Sequence, residues 1–325
     1  MSIPHFSRRC FLNLVAATIP SVPLLWSSAV ASEKQQSTRT VSSSRSESGD
    51  PKIGIALGAG GANGLSHILM LEVLDEMEIT PYRISGSSIG AIVGALYASG
   101  MTAKQIRKMV EQFIISPKEQ LVDELMNKDT LRWIDFLDIE LGQGGLLNSE
   151  NFASFLYDSI QYDTFEALKI PLSIVAGDLW HYKQVILKSG ALLPAVKASM
   201  ALPGVFQPVM LDGHTLVDGG TVNPVPYDLL IDDCDIVIGI DVIGERTLPQ
   251  SGKSSYLETI FNSVKIMQYT IMAEKRRRNK PDIYITPKIV DIHALEFYRA
   301  EQVFAQALPA KEELKEKLTQ LLRRI

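Results

Sequence analysis

Five short apolar runs recur along the chain from residue 52 onward: KIGIALG (52–58), YRISG (82–86), LSIVAGD (172–178), DIVIGID (235–241) and DIYITP (282–287). Runs this short, with little polar alternation, read as strands buried on both faces. Stretches with one apolar face lie between them. Leu65, Ile68, Leu69 and Val73 follow the first run, and Ile89 to Ser99 follow the second. A further helical pattern spans about 256–277, and KEELKEKLTQLLRRI closes the chain. NSENFASFLYDSI (148–160) opens on Asn148 and Ser149, both good helix N-caps. This alternation predicts an α/β fold with a mainly parallel central sheet and helices on both faces. In such sheets chemistry collects at the carboxyl ends of the strands.

Two glycine-rich turns fall at such ends. In LGAGGANGLSHILML (57–71), Gly58, Gly60, Gly61 and Gly64 join a strand to a helix, so backbone N–H groups can point at an anion. A phosphate loop would need the lysine of G-x-x-x-x-G-K-[ST], which is absent. Asn63 also replaces the last glycine of a G-x-G-x-x-G starting at Gly58. A loop that receives a transient oxyanion needs no lysine. The second turn, YRISGSSIGAIVGALYASG (82–100), sets Ser88 at the centre of Gly86-Ser87-Ser88-Ile89-Gly90. Strand, G-x-S-x-G and a small-residue helix (Gly94, Ala95, Ala98) form the context of a nucleophile elbow. Ser88 then stands at a helix N-terminus, which favours negative charge on an attacking oxygen. Ser87 points elsewhere on so tight a turn.

A serine nucleophile needs a base. His293, in VDIHALEFYRA, is the only histidine after Asp218 and reads as a helix-start residue. His67, His181 and His214 read as surface or hydrogen-bonded structural residues. His293 stays open as that base, and a third stretch that could carry chemistry is GHTLVDGGTVNPVPYDLL (213–230), where Asp218 is held before Gly219 and Gly220. Asp-Gly is a common turn pair, but KASMALPGVFQPVML just before it is apolar and broken by prolines, suited to wall a cleft.

Ser88 in G-S-S-I-G, Asp218 in D-G-G and the glycine loop 58–64 together resemble the patatin-like phospholipase family. GLSHILMLEVLDE, GSSIGAIVGALYASG, ASMALPGVFQPV and LVDGGTVNPVP resemble its blocks in the same order, over roughly residues 52–290. The resemblance implies a three-layer architecture related to the α/β-hydrolases. It implies hydrolysis of lipid acyl esters by a serine–aspartate dyad without histidine, Ser88 being the nucleophile and Asp218 the base. Backbone N–H groups near Gly60 and Gly61 would then form the oxyanion hole. The resemblance implies no cofactor and no metal, and a lipid or membrane-surface substrate. The chain departs from the family pattern at Asn63, where Arg or Lys is usual, and at Ala59, a frequent glycine. Two alternatives stay open: an esterase or thioesterase for small acyl substrates, and a weakly active patatin-shaped binding or regulatory protein. An aspartate base near its ordinary pKa of about 3.9 would hold activity level between roughly pH 7 and 5.

The N-terminal residues read as targeting rather than fold. SRRCFLNLVAATIPSVPLLWSSAVA has two arginines, an apolar middle and Ala29-Val30-Ala31 at its end, the pattern of a cleaved export signal over residues 1–31. Ser7-Arg8-Arg9-Cys10-Phe11-Leu12 resembles the twin-arginine signal, with Asn13 where lysine is frequent. Export predicts a periplasmic or extracellular protein. Residues 32–50 are polar and serine-rich, a disordered linker by composition, and 51–325 form the catalytic domain. Removal of Cys10 leaves Cys234 alone, so no internal disulfide is expected and a buried thiol is. The net charge of −5 gives no reason to expect nucleic acid. The basic run EKRRRNK (274–280) reads as the C-terminal end of a helix. LRWIDFLDIELGQGGLL (131–147) reads as an ordinary buried helix, with an apolar flap at the cleft mouth as the alternative.

Overall fold

The computed structural model describes residues 49–111, 159, 162–245 and 256–325. The export signal, nearly all of the linker, the 131–147 segment and nearly all of the 148–160 helix lie outside the described residues. Asp50–Ile325 forms one compact unit.

The strands are β1 (Ile53–Leu57), β2 (Arg83–Ser87), β3 (Leu172–Asp178), β4 (Lys183–Leu187), β5 (Val209–Leu211), β6 (His214–Asp218), β7 (Ile236–Ile240) and β8 (Ile283–Ile285). They join one sheet in the order β5-β6-β3-β2-β1-β7-β8, with β4 also on β3. The five apolar runs became β1, β2, β3, β7 and β8, all paired in parallel. Three antiparallel strands, β4, β5 and β6, extend the sheet beyond β3. Their short lengths and half-exposed faces hid β4 and β5 from the apolar pattern.

Burial on both faces explains the continuous apolar runs. Ile55, Leu57, Ile84, Ile236, Ile238 and Ile240 turn into the main core. Helices α1 (His67–Glu76) and α2 (Ile89–Ala98) lie there, joined by the last helix of the chain, Ala300–Leu322. The alternate side chains Ala56 and Val237 pack in a second core with Tyr227, Leu230 and Met272. The period-two geometry of a strand sends neighbours to opposite faces, so one strand feeds two cores.

The other helices are α3 (Ala103–Val110), α4 (Leu192–Met200) and α5 (Tyr256–Arg278), which makes the final one α6. Thr102 starts α3 with a capping box closed by Gln105. The basic run does end α5, with Lys275 to Arg278 in its last turn. Lys275 is committed there, donating to the Asn223 Oδ1 at 2.6 Å, to the Val225 carbonyl at 2.7 Å and to Asp228. Helix α6 begins well before KEELKEK and carries Pro309 within it. Lys311 ties it to Glu72 and Glu76 of α1, at 2.7 Å each. Cys234 is buried, as its setting predicted. Among the described residues no helix is long and apolar enough to cross a membrane.

Helix α2 lies close to β1 because Gly90 has no side chain. A Cβ there would stand 2.1 Å from the Leu57 carbonyl oxygen, a backbone atom that cannot swing aside. Gly90→Ala is therefore expected to push α2 off the sheet and destabilise the protein by about 1–3 kcal/mol. Urea unfolding measures this, and a midpoint equal to wild type would show that the contact yields freely.

Candidate active site

Ser88 sits between β2 and α2 with φ 54° and ψ −125°. A side-chain-bearing residue enters that left-handed region only under constraint. The constraint is local: β2 is held between β1 and β3 while α2 starts at the next residue, so the chain must reverse direction in one step. The Ser88 N–H is bound by the Ser199 hydroxyl at 2.9 Å, from the end of α4. Ser87 turns away, as predicted, and donates to the Asn223 carbonyl at 2.6 Å.

Asp218 ends β6. Its backbone N–H donates to the Ala201 carbonyl at 2.9 Å, just after α4. Its Oδ1 accepts the Gly220 N–H at 2.7 Å. The side chain is buried, and Ser88 lies beside it in the same pocket, close enough to lower its pKa. The structure therefore brings together the two residues that the motifs nominated from distant parts of the chain. Burial is the largest influence on Asp218 and pushes its carboxyl up to about 6, against the pull of Ser88 and of the Gly220 hydrogen bond. The sequence reading, an aspartate near its ordinary pKa, is corrected on this point. A carboxylate removed from water is harder to ionise.

Gly60 and Gly61 also reach the site. Their neighbours' N–H groups are occupied: Gly58 donates to the Ile240 carbonyl at 3.0 Å, Ala59 to Pro224 at 2.8 Å and Ala62 to Ala294 at 2.8 Å. Among the described residues no backbone acceptor takes the Gly60 or Gly61 N–H. Gly61 has φ 58°, and a Cβ there would stand 2.3 Å from the Ala294 carbonyl oxygen, so no other residue fits. Gly58, Gly64, Gly86, Gly219 and Gly220 support the same packing. A Cβ on Gly219, for instance, would meet the Val175 carbonyl at 2.2 Å.

Ser88, Asp218, Gly60 and Gly61 line one open pocket. Its other walls are mostly apolar and include Ile92, Met200, Phe206, Phe261, Val264 and Phe297. Met200 and Phe206 come from the proline-broken segment that was expected to wall a cleft.

Three residues that the sequence did not nominate for the site shape it. Ser199 holds the elbow. Gln268 of α5 lines the pocket beside Gly220. His67 is fully buried, and its Nε2–H donates to the Gly58 carbonyl at 2.8 Å, fixing the start of the glycine loop. Burial pushes its imidazole down to about 4, so it is neutral at pH 7. Only the position of His67 at the head of α1 hinted at such a tether. Asn63 is buried too, its Nδ2 donating to the Ile243 carbonyl at 3.3 Å. His293 is not among the residues lining the pocket.

Residues 55–231 match the family model described as patatin-like phospholipase. The chain belongs to that family. It is 32% identical over 203 residues to an NTE family protein of Mycobacterium tuberculosis, a match covering 62% of this chain and 52% of that one. It is 31% identical over 193 residues to patatin-like phospholipase domain-containing protein 6 of Homo sapiens, covering 58% of this chain and 13% of that one. The chain thus spans about half the length of the mycobacterial relative. Among solved structures, VipD from Legionella pneumophila aligns over 82% of this chain and 67% of its own, at 16% identity and a TM-score of 0.41.

Within this family member, the buried Asp218 has a consequence for stability. Its folded pKa of about 6 lies above the ordinary 3.8, so the folded state holds the proton more tightly than the unfolded state. Its contribution is therefore most favourable below pH 3.8 and is lost as pH rises through about 6. The loss is on the order of 3 kcal/mol above both values. Asp218→Asn keeps the Gly220 hydrogen bond without the charge. At pH 8 it is expected to unfold at a higher temperature than wild type, and the gap should close toward pH 4. A variant less stable than wild type at pH 8 would refute this account.

Proposed function

We propose that the protein is a lipid acyl hydrolase that works through Ser88 and Asp218. The observation that carries this reading is the strained Ser88 elbow, set beside the buried Asp218 carboxylate at an apolar pocket. Family membership supports it. The apolar walls favour an acyl chain over a small polar acyl group, and this places the lipid substrate ahead of a small-substrate esterase or thioesterase.

The proposed reaction uses these groups in turn. The Ser88 Oγ attacks the ester carbonyl carbon, and its proton passes to the Asp218 carboxylate. The carbonyl oxygen takes the negative charge and is met by the Gly60 and Gly61 N–H groups. The tetrahedral species collapses, the alcohol leaves with the proton from Asp218, and the acyl group stays on Ser88. Water, deprotonated by Asp218, then attacks the acyl-serine and releases the fatty acid. The strained elbow keeps the Oγ exposed in one orientation throughout.

Ser88→Ala and Asp218→Asn are each expected to remove nearly all hydrolysis of phospholipid and of monomeric esters. Their double mutant should be scarcely worse than either, because they act as a unit. His293→Ala should retain activity. Asp218 must be ionised to accept the proton, so kcat/KM should fall as pH drops through about 6 and level off above it. Assays of purified variants across pH 4–9 measure both expectations. An inactive His293→Ala beside an active Asp218→Asn would overturn the dyad.

The same reading places the mature enzyme outside the cytoplasm, supported by the N-terminal sequence pattern. Protein recovered from the periplasm or medium is expected to begin at Ser32, and replacement of Arg8 and Arg9 by lysine should block its export. Cytoplasmic protein retaining Met1 would refute the export reading.

A further inference from the structure

Outside the pocket, the fold assembles a second cluster of chemically active side chains. Asp178 ends β3, His181 lies in the turn from β3 to β4, and His214 opens β6. Strand pairing closes the 36-residue separation between Asp178 and His214, since Asp178 stands opposite Leu216. Both imidazoles turn the same ring nitrogen to the same oxygen. His181 Nδ1 lies 2.8 Å from the Asp178 Oδ2, and His214 Nδ1 lies 2.5 Å from it. The three donor atoms all fall within 4.8 Å of one another.

The other carboxylate oxygen is fixed separately. Asp178 Oδ1 accepts the backbone N–H groups of Trp180 and His181, at 3.1 Å each. The Asp178 side chain is fully buried, while those of His181 and His214 are 61% and 33% exposed. A rigid carboxylate oxygen therefore faces two imidazoles at the edge of solvent, with room for water on the open side. Outer hydrogen bonds of this kind hold a metal ligand in place. We infer that Asp178, His181 and His214 form a binding site for a first-row divalent cation, zinc foremost.

The chemistry of the donors selects this class of ion. Two imidazoles and one carboxylate suit zinc, copper, nickel or iron, and exclude a preference for calcium or magnesium, which take oxygen ligands. Zinc bonds of about 2.0–2.1 Å in a tetrahedron set neighbouring donors roughly 3.3 Å apart. The two nitrogen–oxygen spacings need to open by less than 1 Å from their hydrogen-bonded values, and the exposed His181 turn leaves its imidazole free to adjust to the other nitrogen. On binding, each imidazole moves its proton from Nδ1 to the solvent-facing Nε2, leaving the Nδ1 lone pair to the metal. Water completes the coordination. None of the three residues lines the Ser88 pocket, so the ion is a clip and not part of ester hydrolysis. It would join the β3–β4 turn to the start of β6, the strand that ends in Asp218.

The full-length chain, stripped with a chelator and dialysed, is titrated with zinc by calorimetry and with cobalt in visible light. The expected result is one site per chain, cobalt bands of a tetrahedral or five-coordinate ion, and a melting temperature that rises with zinc. His181→Ala with His214→Ala should weaken zinc binding by at least tenfold and abolish the bands, while Ser88→Ala should bind as wild type does. Circular dichroism and cooperative melting establish that the double variant folds. His181→Gln alone, on the exposed turn, should show the same loss without touching β6. A wild-type chain that binds no zinc, or variants that bind it as tightly as wild type, would overturn the site.

Discussion

The geometry of the site depends on the end of α4. One residue of that helix, Ser199, takes the Ser88 N–H, and the carbonyl of Ala201, just beyond the helix, takes the Asp218 N–H. Two polypeptide segments that never touch in sequence are thereby set against a common support. A buried donor left unpaired costs about 1–3 kcal/mol, so both contacts resist displacement. The Ser87 hydroxyl adds a third tie, to the Asn223 carbonyl in the loop after Asp218. The elbow can be strained because its surroundings leave it no alternative.

Burial sets the electrical character of the same site. Asp218 is taken out of water, and this raises its pKa to about 6 while placing it against the serine hydroxyl. A carboxylate at its ordinary pKa would be a weaker proton acceptor. The raised value makes it a better base and still leaves it ionised at neutral pH. The cost appears as lost stability, the usual exchange at an active site. His67 shows the opposite sign of the same effect: burial keeps it neutral, so it can tether the Gly58 carbonyl without bringing a charge near the oxyanion loop.

The glycine loop works by what it lacks. Ala59 and Ala62 give their N–H groups to backbone carbonyls, whereas Gly60 and Gly61 are pressed so closely against Val242 and Ala294 that no side chain fits. Both glycines line the pocket with Ser88, and among the described residues no backbone carbonyl takes their N–H groups. Asn63, in the position where a cation is usual for the family, is buried against the Ile243 carbonyl. The loop thus relies on its backbone dipoles for positive potential.

Much of this was legible in the sequence, because some signals are local. Doubly buried strands must be continuously apolar, and this located β1, β2, β3, β7 and β8 from their runs alone. An elbow needs small residues at fixed offsets, and this singled out Ser88 from Ser87. The antiparallel edge was not legible, since β4 and β5 are short and half exposed, and such strands owe their pairing to β3 and β6 rather than to their own composition. Ser199, Gln268 and His67 carry no local mark, because a hydroxyl, an amide or an imidazole acquires its role from whatever faces it. The cluster of Asp178, His181 and His214 was not legible for the same reason, as only antiparallel pairing brings β6 back to the end of β3. The residue types and their local spacing were thus set by the sequence itself. Which of them meet, and how burial shifts Asp218 to about 6, was decided by the tertiary structure, because desolvation and hydrogen-bond partnership belong to the packed chain and to no segment of it.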